Sequence, residues 1–289
     1  MKPNHSPDRM MALIARETRW RLGPVPTGLG GKPASPGRWQ IAQGRFLLRC
    51  ESGLGYYYQP GEGITIERPV DADPDEELLW LKGTVHAAVA CLNGLYPVHA
   101  SAVAWEGRVH AFTGPAGAGK STLVAGLGAA GLPLFCDDTL LLDLTDPGRI
   151  MCLPGHKRLK LLPDALTMSG ARGEAPVGAE TGKLYCRTAA GEVAMPLPLA
   201  SLTFLEDGPV TAWHPVAGAE RFARLEDDHY TQAIYLAAQR PERAALFALR
   251  ARIAGMVTMA RLVRPRSGEG FAHSVELARS HIVPTPGES

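Results

Sequence analysis

Long apolar runs and paired cysteine motifs are both absent from this chain of 289 residues. No stretch approaches the roughly 20 apolar residues that a membrane-spanning helix needs, and the first residues lack the apolar segment of a secretion signal. The five cysteines are odd in number and include no C-x-x-C pair, so neither a disulfide framework nor a zinc site is indicated. Scattered reduced cysteines are typical of cytosolic proteins, so we expect a cytoplasmic location.

An excess of charge of one sign is also missing. The chain has 30 basic and 29 acidic residues, which gives a formal net charge of +1. Proteins that bind nucleic acid or anionic membranes over a broad surface need a clear positive excess. We therefore predict neither a nucleic-acid partner nor a membrane partner. Hydrophobic residues make up 45% of the chain and charged residues 20%, which permits an ordinary packed core.

The most informative stretch is VHAFTGPAGAGKST, residues 109–122. Its apolar start predicts a strand, its glycine-rich middle a turn, and its end the beginning of a helix. Together they form the pattern G-x-x-x-x-G-K-[ST] in the strand–turn–helix context of a phosphate-binding loop. The residues expected to bind the phosphates are Gly114, Pro115, Ala116, Gly117, Ala118, Gly119, Lys120, Ser121 and Thr122.

The residue types of this loop suit a nucleotide and a metal ion. Glycine lets the backbone bend around phosphate oxygens and turn its N–H groups toward them, and a helix N-terminus adds positive potential. Lys120 can reach the β- and γ-phosphates, and the Ser121 hydroxyl can bind Mg²⁺. We therefore expect ATP and Mg²⁺ as cofactors, although no motif distinguishes ATP from GTP.

An acidic pair, Asp137-Asp138, follows an apolar segment 17 residues after Lys120. A magnesium ion needs a carboxylate, and a hydroxyl acceptor needs a base for its proton. Because ligands bind at the carboxyl ends of parallel strands, we expect one aspartate to serve the metal and the other to act as base; which does which stays open. Asp143 competes for the metal, because TLLLDL resembles a Walker-B strand.

Further candidates are a histidine and several basic residues. His99, in YPVHASAV, can reach the acids if its strand runs beside the loop strand. Basic groups lower the barrier to phosphoryl transfer by neutralising charge on the equatorial oxygens. The basic candidates are His156, Lys157, Arg158, Lys160 and Lys183, with Arg261 and Arg264 as weaker ones.

The rest of the pattern predicts a small β-rich N-terminal region, residues 1–72, and a catalytic domain, residues 73–289. Glycine and proline divide the first region into strands, and polar, glycine-rich residues at 168–182 predict a mobile loop. Predicted strands are Trp39–Cys50, Gly55–Gln59, Ile64–Glu67 and 197–206; predicted helices are Asp73–Leu95, most of Arg221–Val263 and Phe271–Arg279.

Three of these motifs resemble the catalytic domain of HPr kinase/phosphorylase over about residues 95–210. They are VHAS (98–101), GPAGAGKST (114–122) and the strand into CDD (136–138). The resemblance implies an α/β fold with a P-loop kinase core of the HPr kinase/PEP carboxykinase type. It also implies catalytic roles for Asp137 and Asp138 with Mg²⁺ and the seryl proton, for His99 as a helper, and for Lys120.

The layout is more similar to divergent HPr-kinase-like proteins that occur beside peptide-modifying systems. Residues before 95 do not resemble the N-terminal domain of the classical enzymes, whose glycine-rich signature after the acidic pair also has no counterpart here. Some of the divergent relatives phosphorylate the C-terminal serine of lasso-peptide precursors. The resemblance thus implies a serine kinase with a peptide or protein partner. A kinase of a small-molecule hydroxyl, a nucleotide-binding regulatory protein without transfer activity, and assembly into a homo-oligomer stay open.

Overall fold

The computed structural model describes residues 7–155, 159–177, 182–226 and 229–284. In these ranges the chain is a mixed α/β protein with several sheets, and none of its helices is long and apolar enough to cross a membrane. A π-helical turn, Leu81–Val85, joins the second helix to the third. The helices are α1 (Pro7–Glu17), α2 (Pro74–Trp80), α3 (His86–Leu92), α4 (Lys120–Ala129), α5 (Pro163–Ser169), α6 (Glu220–Ala223), α7 (Tyr230–Gln239), α8 (Arg243–Met256) and α9 (Gly268–Ile282).

The strands of the described residues fall into separate sheets rather than one continuous layer. They are β1 (Trp20–Leu22), β2 (Gly28–Leu29), β3 (Lys32–Pro33), β4 (Trp39–Ala42), β5 (Arg45–Arg49), β6 (Gly55–Gln59), β7 (Gly63–Glu67), β8 (Tyr96–Val98), β9 (Ala100–Trp105), β10 (Arg108–Thr113), β11 (Leu134–Cys136), β12 (Leu140–Asp143), β13 (Met151–Leu153), β14 (Leu159–Leu161), β15 (Arg172–Pro176), β16 (Leu184–Arg187), β17 (Leu197–Asp207), β18 (Ala212–Pro215) and β19 (Thr258–Arg264).

The chain forms two compact units. Among the described residues, the first unit contains 7–97, 143–145 and 229–242, and the second contains 98–142, 146–155, 159–177, 182–226 and 243–284. The first unit includes the β-rich segment expected from the sequence, together with α2 and α3. The domain boundary after residue 72 stays a prediction.

The first unit is built on a five-stranded sheet in the order β1-β7-β6-β5-β4. Its buried face is strongly aromatic, since Tyr56, Tyr58 and Phe46 are completely or almost completely inaccessible to solvent. The single strand expected over Trp39–Cys50 is wrong, because the segment is a hairpin of β4 and β5. The turn uses positive φ angles at Gln43 (52°) and Gly44 (72°), and glutamine is not a usual residue for that conformation.

A buried carboxylate fixes the end of α1 to this sheet. Glu17 is 2% exposed, and its Oε2 accepts hydrogen bonds from Tyr58 Oη and Gly61 N, each at 2.9 Å. Burial by itself would raise the pKa of Glu17, but the Gly61 amide, the Arg16 guanidinium and the Tyr58 hydroxyl together hold that pKa below its ordinary value. The charged form of Glu17 is therefore the one that the folded state stabilises.

Replacing Glu17 by glutamine is expected to lower the free energy of unfolding by about 1.5–3 kcal/mol at pH 7, because hydrogen bonds to a charged group are lost. A carboxyl whose pKa is lowered by folding contributes stability above its unfolded pKa and loses it as the pH falls through its folded pKa. The difference between wild type and Glu17→Gln should thus shrink below about pH 4. Urea denaturation at pH 7 and pH 3 measures it, and an equal difference at both values would contradict the assignment.

The second unit contains the sheet that carries the loop motif. β10 runs parallel to β17, and β17 runs parallel to β19. β9 is antiparallel to both β10 and β11, so β11 has the same direction as β10. The carboxyl ends of β11, β10, β17 and β19 therefore lie at one edge of the sheet, where β9 begins. This is the edge at which ligands bind in open α/β sheets.

The helix after the loop is fixed in the core of the second unit. Leu123, Val124 and Leu127 of α4 are fully buried, in the same hydrophobic cluster as Val103 of β9 and Phe112 of β10. Since α4 is anchored by this packing, its N-terminus and the loop before it have a fixed position over the sheet edge.

Two sequence predictions differ from the structure, the first of them only at its carboxyl end. The helical pattern expected up to Val263 ends at Met256, and β19 follows as a strand paired with β17 and β18. The loop expected over 168–182 begins as the end of α5 and then forms β15, in a three-stranded sheet with β16 and β14. Residues 178–181 of that segment lie outside the described residues. For β19, pairing with β17, a strand distant in sequence, determines the structure, which local patterns do not report.

Candidate active site

The glycine-rich turn runs from Gly114 to Gly119 and connects β10 directly to α4. Three glycines have positive φ angles, 147° at Gly114, 78° at Gly117 and 82° at Gly119. Side chains other than glycine rarely adopt such angles. A Cβ atom at position 114 would also lie 2.9 Å from the carbonyl oxygen of Leu205 in β17. The glycines are therefore required by the backbone path of this turn.

Two buried basic side chains bind the carbonyl groups of this turn. Lys120 Nζ donates to the carbonyl oxygens of Gly114 (2.8 Å) and Pro115 (3.0 Å). Arg264 Nη2, from the end of β19, donates to the carbonyl oxygens of Ala118 (2.8 Å) and Gly119 (3.3 Å). The turn thus lies in a region of positive potential, to which the N-terminus of α4 adds. Such a surface attracts an anion.

Asp137 lies next to this turn and is bonded to its serine. It follows β11 directly and is only 4% exposed. Its Oδ1 accepts hydrogen bonds from Ser121 Oγ at 2.7 Å and from Ser101 Oγ at 2.6 Å. Burial raises the pKa of Asp137, the two serine hydroxyls partly offset this rise, and the neighbouring Asp138 adds to it. A carboxylate placed at such an electrostatic cost is a mark of a functional site.

Ser101 was not singled out by the sequence analysis. It lies on β9 and is completely buried. The only sequence signal for it is its place in VHAS, next to His99. Its contact with Asp137 depends on the pairing of β9 with β11, which spacing along the chain does not specify.

Asp138 differs from Asp137 in both backbone and exposure. A hydrogen bond from Thr139 N to Asp137 O (2.9 Å) closes a three-residue turn with Asp138 at its centre, where φ is +71°. A positive φ in such a tight turn is rare and strained for a non-glycine residue, and strain of this kind concentrates at functional sites. The turn leaves 40% of the Asp138 side chain exposed, directly beside a buried aspartate.

His99 lies beside Asp138. Its Nδ1 lies 2.9 Å from the carbonyl oxygen of Asp138 and 3.6 Å from the carboxylate oxygen Oδ1. A carbonyl oxygen can only accept, so Nδ1 carries the hydrogen and the neutral ring has its acceptor at Nε2. The main chain of His99 is held in turn by Thr113 Oγ1, which donates to its carbonyl oxygen at 2.8 Å. The ring therefore has a fixed orientation against Asp138.

Asp143, the competing acid, has a different environment. Its Oδ1 accepts hydrogen bonds from Thr145 N (2.9 Å) and Thr145 Oγ1 (2.7 Å). This is a local turn that follows β12 and that involves no loop residue. The acid that bonds to the loop serine is therefore Asp137.

The basic candidates are only partly brought together. His156, Lys157 and Arg158 lie outside the described residues. Lys160 is on β14, and its positive charge is close enough to lower the pKa of Asp137, although burial has the larger and opposite effect. Among the described residues of that cluster, Lys160 thus has an electrostatic connection to Asp137.

The two remaining candidates are Arg261 and Lys183. Arg261 of β19 pairs with Glu206 at 3.3 Å and Glu220 at 3.7 Å. Lys183 lies just before β16, where its carbonyl oxygen accepts from Val177 N at 2.8 Å. The described contacts of Arg261 therefore link β19 to β17 and α6 and do not involve the glycine-rich turn.

The donor atoms at this site suit a hard cation. Among the described residues, no three His, Cys, Asp or Glu side chains cluster in a way that could hold a metal ion. The site instead offers two oxygen ligands, the Ser121 hydroxyl and the Asp137 carboxylate. Their hydrogen-bonded atoms, Ser121 Oγ and Asp137 Oδ1, lie 2.7 Å apart. Such a small set fits Mg²⁺, which usually has one or two protein carboxylates and completes its shell with water and phosphate oxygens.

A cavity of about 380 Å³ adjoins the first half of the turn. Its lining combines Gly114, Pro115 and Ala118 with the end of β17 and two arginines, Arg224 and Arg266. The cavity gives a small molecule or a side chain access to the turn from the β17 side.

Comparisons with known proteins found similarity among solved structures. No protein-family model matches the chain, and no curated protein matches it. Among solved structures, the chain is similar to the Hpr(Ser) kinase/phosphatase from Coxiella burnetii, with 13% sequence identity and a TM-score of 0.34. The match covers 64% of this chain and 95% of that chain. At this degree of similarity, the chemistry of the site has to be argued from the chain's own residues.

Proposed function

We propose that this chain is a kinase with a P-loop core of the HPr kinase/PEP carboxykinase type. It would use ATP and Mg²⁺ to phosphorylate a serine hydroxyl of a peptide or protein. The observation that carries the proposal is the hydrogen bond of 2.7 Å between the hydroxyl of Ser121, which follows the glycine-rich turn, and the buried carboxylate of Asp137. It joins the expected phosphate site to one carboxylate of an acidic pair, whose other member is exposed beside His99.

In this proposal the turn binds the phosphates of ATP. The backbone N–H groups of Gly117, Gly119 and Lys120 and the N-terminus of α4 provide donors and positive potential. Lys120 now donates to two carbonyl groups of the turn. Its ammonium group would exchange them for the more strongly attracting phosphate oxygens.

Ser121 and Asp137 would hold the magnesium ion, which when bound neutralises charge on the phosphates. Ser101 fixes the Asp137 carboxylate through a hydrogen bond of 2.6 Å. Because Asp137 is buried and accepts two hydrogen bonds on one oxygen, it is a poor choice for taking a proton from an incoming substrate.

Asp138 is then the base. Its carboxylate is partly exposed, so that an acceptor hydroxyl can approach it, and the His99 ring is hydrogen-bonded to the carbonyl oxygen of the same residue. Removing the seryl proton as the bond to phosphorus forms is the task of a positioned carboxylate in protein kinases. This division of roles assigns the metal to Asp137 and the proton to Asp138.

The resemblance seen in the sequence supports a peptide as the acceptor. The most specific acceptor that we propose is the C-terminal serine of a lasso-peptide precursor. The exposure of Asp138 is compatible with an acceptor that remains part of a longer chain.

Incubation with γ-labelled ATP, Mg²⁺ and a precursor peptide that ends in serine is expected to transfer label to the peptide. The same peptide with alanine at its end should remain unlabelled. Titration calorimetry with ATP shows in parallel whether the nucleotide binds. ATP binding without any transfer, or phosphate release without an acceptor, would contradict the kinase proposal and favour a regulatory protein; transfer only to small hydroxyl compounds would contradict the peptide acceptor.

A further inference from the structure

Arg264 is the last residue of β19, and its side chain reaches the glycine-rich turn from the protein interior. It is only 8% exposed. Its Nη2 donates to two consecutive carbonyl oxygens of the turn, those of Ala118 (2.8 Å) and Gly119 (3.3 Å). We propose that Arg264 is a positioning residue, which holds these two peptide groups in the orientation that binds phosphate. This inference rests on the function proposed above.

The geometry of the peptide bond explains why such contacts matter. In a planar trans peptide the C=O and the N–H point in opposite directions. The carbonyl of Ala118 belongs to the same peptide group as the N–H of Gly119, and the carbonyl of Gly119 to the same group as the N–H of Lys120. By drawing both carbonyls toward itself, Arg264 directs these two N–H groups away from the interior. They are the donors that a phosphate at this turn would use.

The fit between Arg264 and the turn is close. The φ angle of Gly119 is +82°, and a Cβ atom at this position would lie 2.5 Å from Arg264 Nη2. Gly119 is therefore required twice, once by its backbone angle and once by the guanidinium group. The carbonyl oxygen of Gly119 also accepts from Leu123 N at 3.0 Å, in the first turn of α4. Arg264 thus connects the end of β19 to the point where the turn becomes a helix.

The positive charge of Arg264 also favours phosphate binding at the turn. Burial lowers its pKa, while the carboxylate of Asp207 raises it and Arg266 lowers it. An arginine nevertheless stays protonated in proteins. A guanidinium bonded to the far side of two peptide groups polarises them, which makes their N–H groups better donors to an anion.

Lys120 and Arg264 have complementary roles in this arrangement. Lys120 contacts the start of the turn, at Gly114 and Pro115, whereas Arg264 contacts its end. Lys120 can move onto a bound phosphate, because its flexible side chain ends in a compact ammonium group. Arg264 donates to carbonyl oxygens on the side opposite the N–H groups, so it acts through the backbone and does not touch the nucleotide.

The inference is tested by replacing Arg264 with methionine, which keeps most of the buried volume. The dissociation constants of ATP and of inorganic tripolyphosphate are expected to rise by the same factor, about 10- to 100-fold, because charged hydrogen bonds that orient the turn are lost. The transfer rate at saturating ATP should fall by less than about threefold, since ground-state and transition-state binding weaken together. Calorimetry and steady-state kinetics measure the two effects. If Arg264 had a merely structural role, its loss would not weaken the binding of ATP and of tripolyphosphate by the same factor while leaving the transfer rate nearly unchanged.

The matched control is Arg261→Met, three residues earlier on the same strand. Arg261 is bonded to Glu206 and Glu220, so its loss tests the general cost of removing an arginine from β19. We expect this variant to bind tripolyphosphate like the wild type. Equal binding by folded Arg264→Met and wild type would overturn the inference, and so would equal weakening in the Arg261 variant.

A conservative variant keeps the test decisive if Arg264→Met does not fold. Arg264→Lys retains the charge but is shorter and lacks the planar fork, so affinity for tripolyphosphate should be intermediate; wild-type affinity in this variant would overturn the inference.

Failure of the proposed kinase function can be distinguished from failure of the role inferred for Arg264. A wild-type protein that binds polyphosphate but transfers no label refutes the kinase and leaves the role of Arg264 measurable. A wild-type protein that binds neither ATP nor polyphosphate refutes both.

Discussion

Replacing Asp138 by asparagine is expected to lower the rate of phosphoryl transfer by about 10²- to 10⁴-fold, the contribution of a general base, while ATP affinity stays within about threefold. Asparagine removes the proton acceptor but tolerates the positive φ of 71° at this position better than most other residues do. The turn that closes between Asp137 and Thr139 should therefore persist. Single-turnover transfer to a serine peptide and calorimetry with ATP measure the two quantities.

The competing acid supplies the control for this prediction. Asp143→Asn changes a carboxylate that bonds only to Thr145 among the contacts described above, and the transfer rate should stay within about twofold of wild type, as is usual away from the reacting groups. If Asp138→Asn transferred phosphate at the wild-type rate while a folded Asp143→Asn variant was inactive, Asp143 and not Asp138 would be the base. Loss of ATP binding in Asp138→Asn would instead show that Asp138 serves the nucleotide.

The parts of the site that could be predicted are those encoded within short stretches. The turn from Gly114 to Gly119 is recognisable because its glycines, lysine and serine are consecutive and are preceded by a strand and followed by a helix. The position of Asp137 next to the turn could be expected because a helix and a return strand need about the length of chain that separates it from Lys120. Both arguments use only local structure and spacing, so they do not depend on the order of strands in the sheet.

The parts that could not be predicted depend on pairing between distant segments. Ser101 reaches Asp137 because β9 lies between β10 and β11. Arg264 reaches the turn because residues 258–264 are a strand beside β17, where the sequence pattern favoured a helix. The strained turn at Asp138 has no sequence signature either, since aspartate usually adopts negative φ angles. The division of labour that we propose within the acidic pair rests on that turn, which sequence patterns do not indicate.

Replacing Asp137 by asparagine is expected to lower the transfer rate by about 10³-fold, the equivalent of losing several kcal/mol of charge stabilisation by the metal. Unlike Asp138→Asn, this variant should also need at least about tenfold more Mg²⁺ for half-maximal activity, because a neutral amide is a weak ligand for a hard cation. Activity measured as a function of Mg²⁺ concentration therefore separates the two aspartates. An unchanged Mg²⁺ requirement in Asp137→Asn would contradict its role as metal ligand.

Two further measurements distinguish this loss of activity from a folding defect. They are the thermal stability of Asp137→Asn and the Mg²⁺ requirement of a second variant, Ser101→Ala. Burial raises the pKa of Asp137, so its charged form is costly to the protein without ligand, and Asp137→Asn should unfold at the same temperature as wild type or a higher one in the absence of Mg²⁺ and ATP. Ser101→Ala removes the hydrogen bond of 2.6 Å that orients the carboxylate; it should raise the Mg²⁺ concentration needed for half-maximal activity by about 10- to 100-fold, as is typical of a residue that supports a ligand. A substitution that makes a protein less active but more stable identifies a side chain that serves chemistry and not folding. We expect this combination at Asp137, the buried carboxylate beside Ser121.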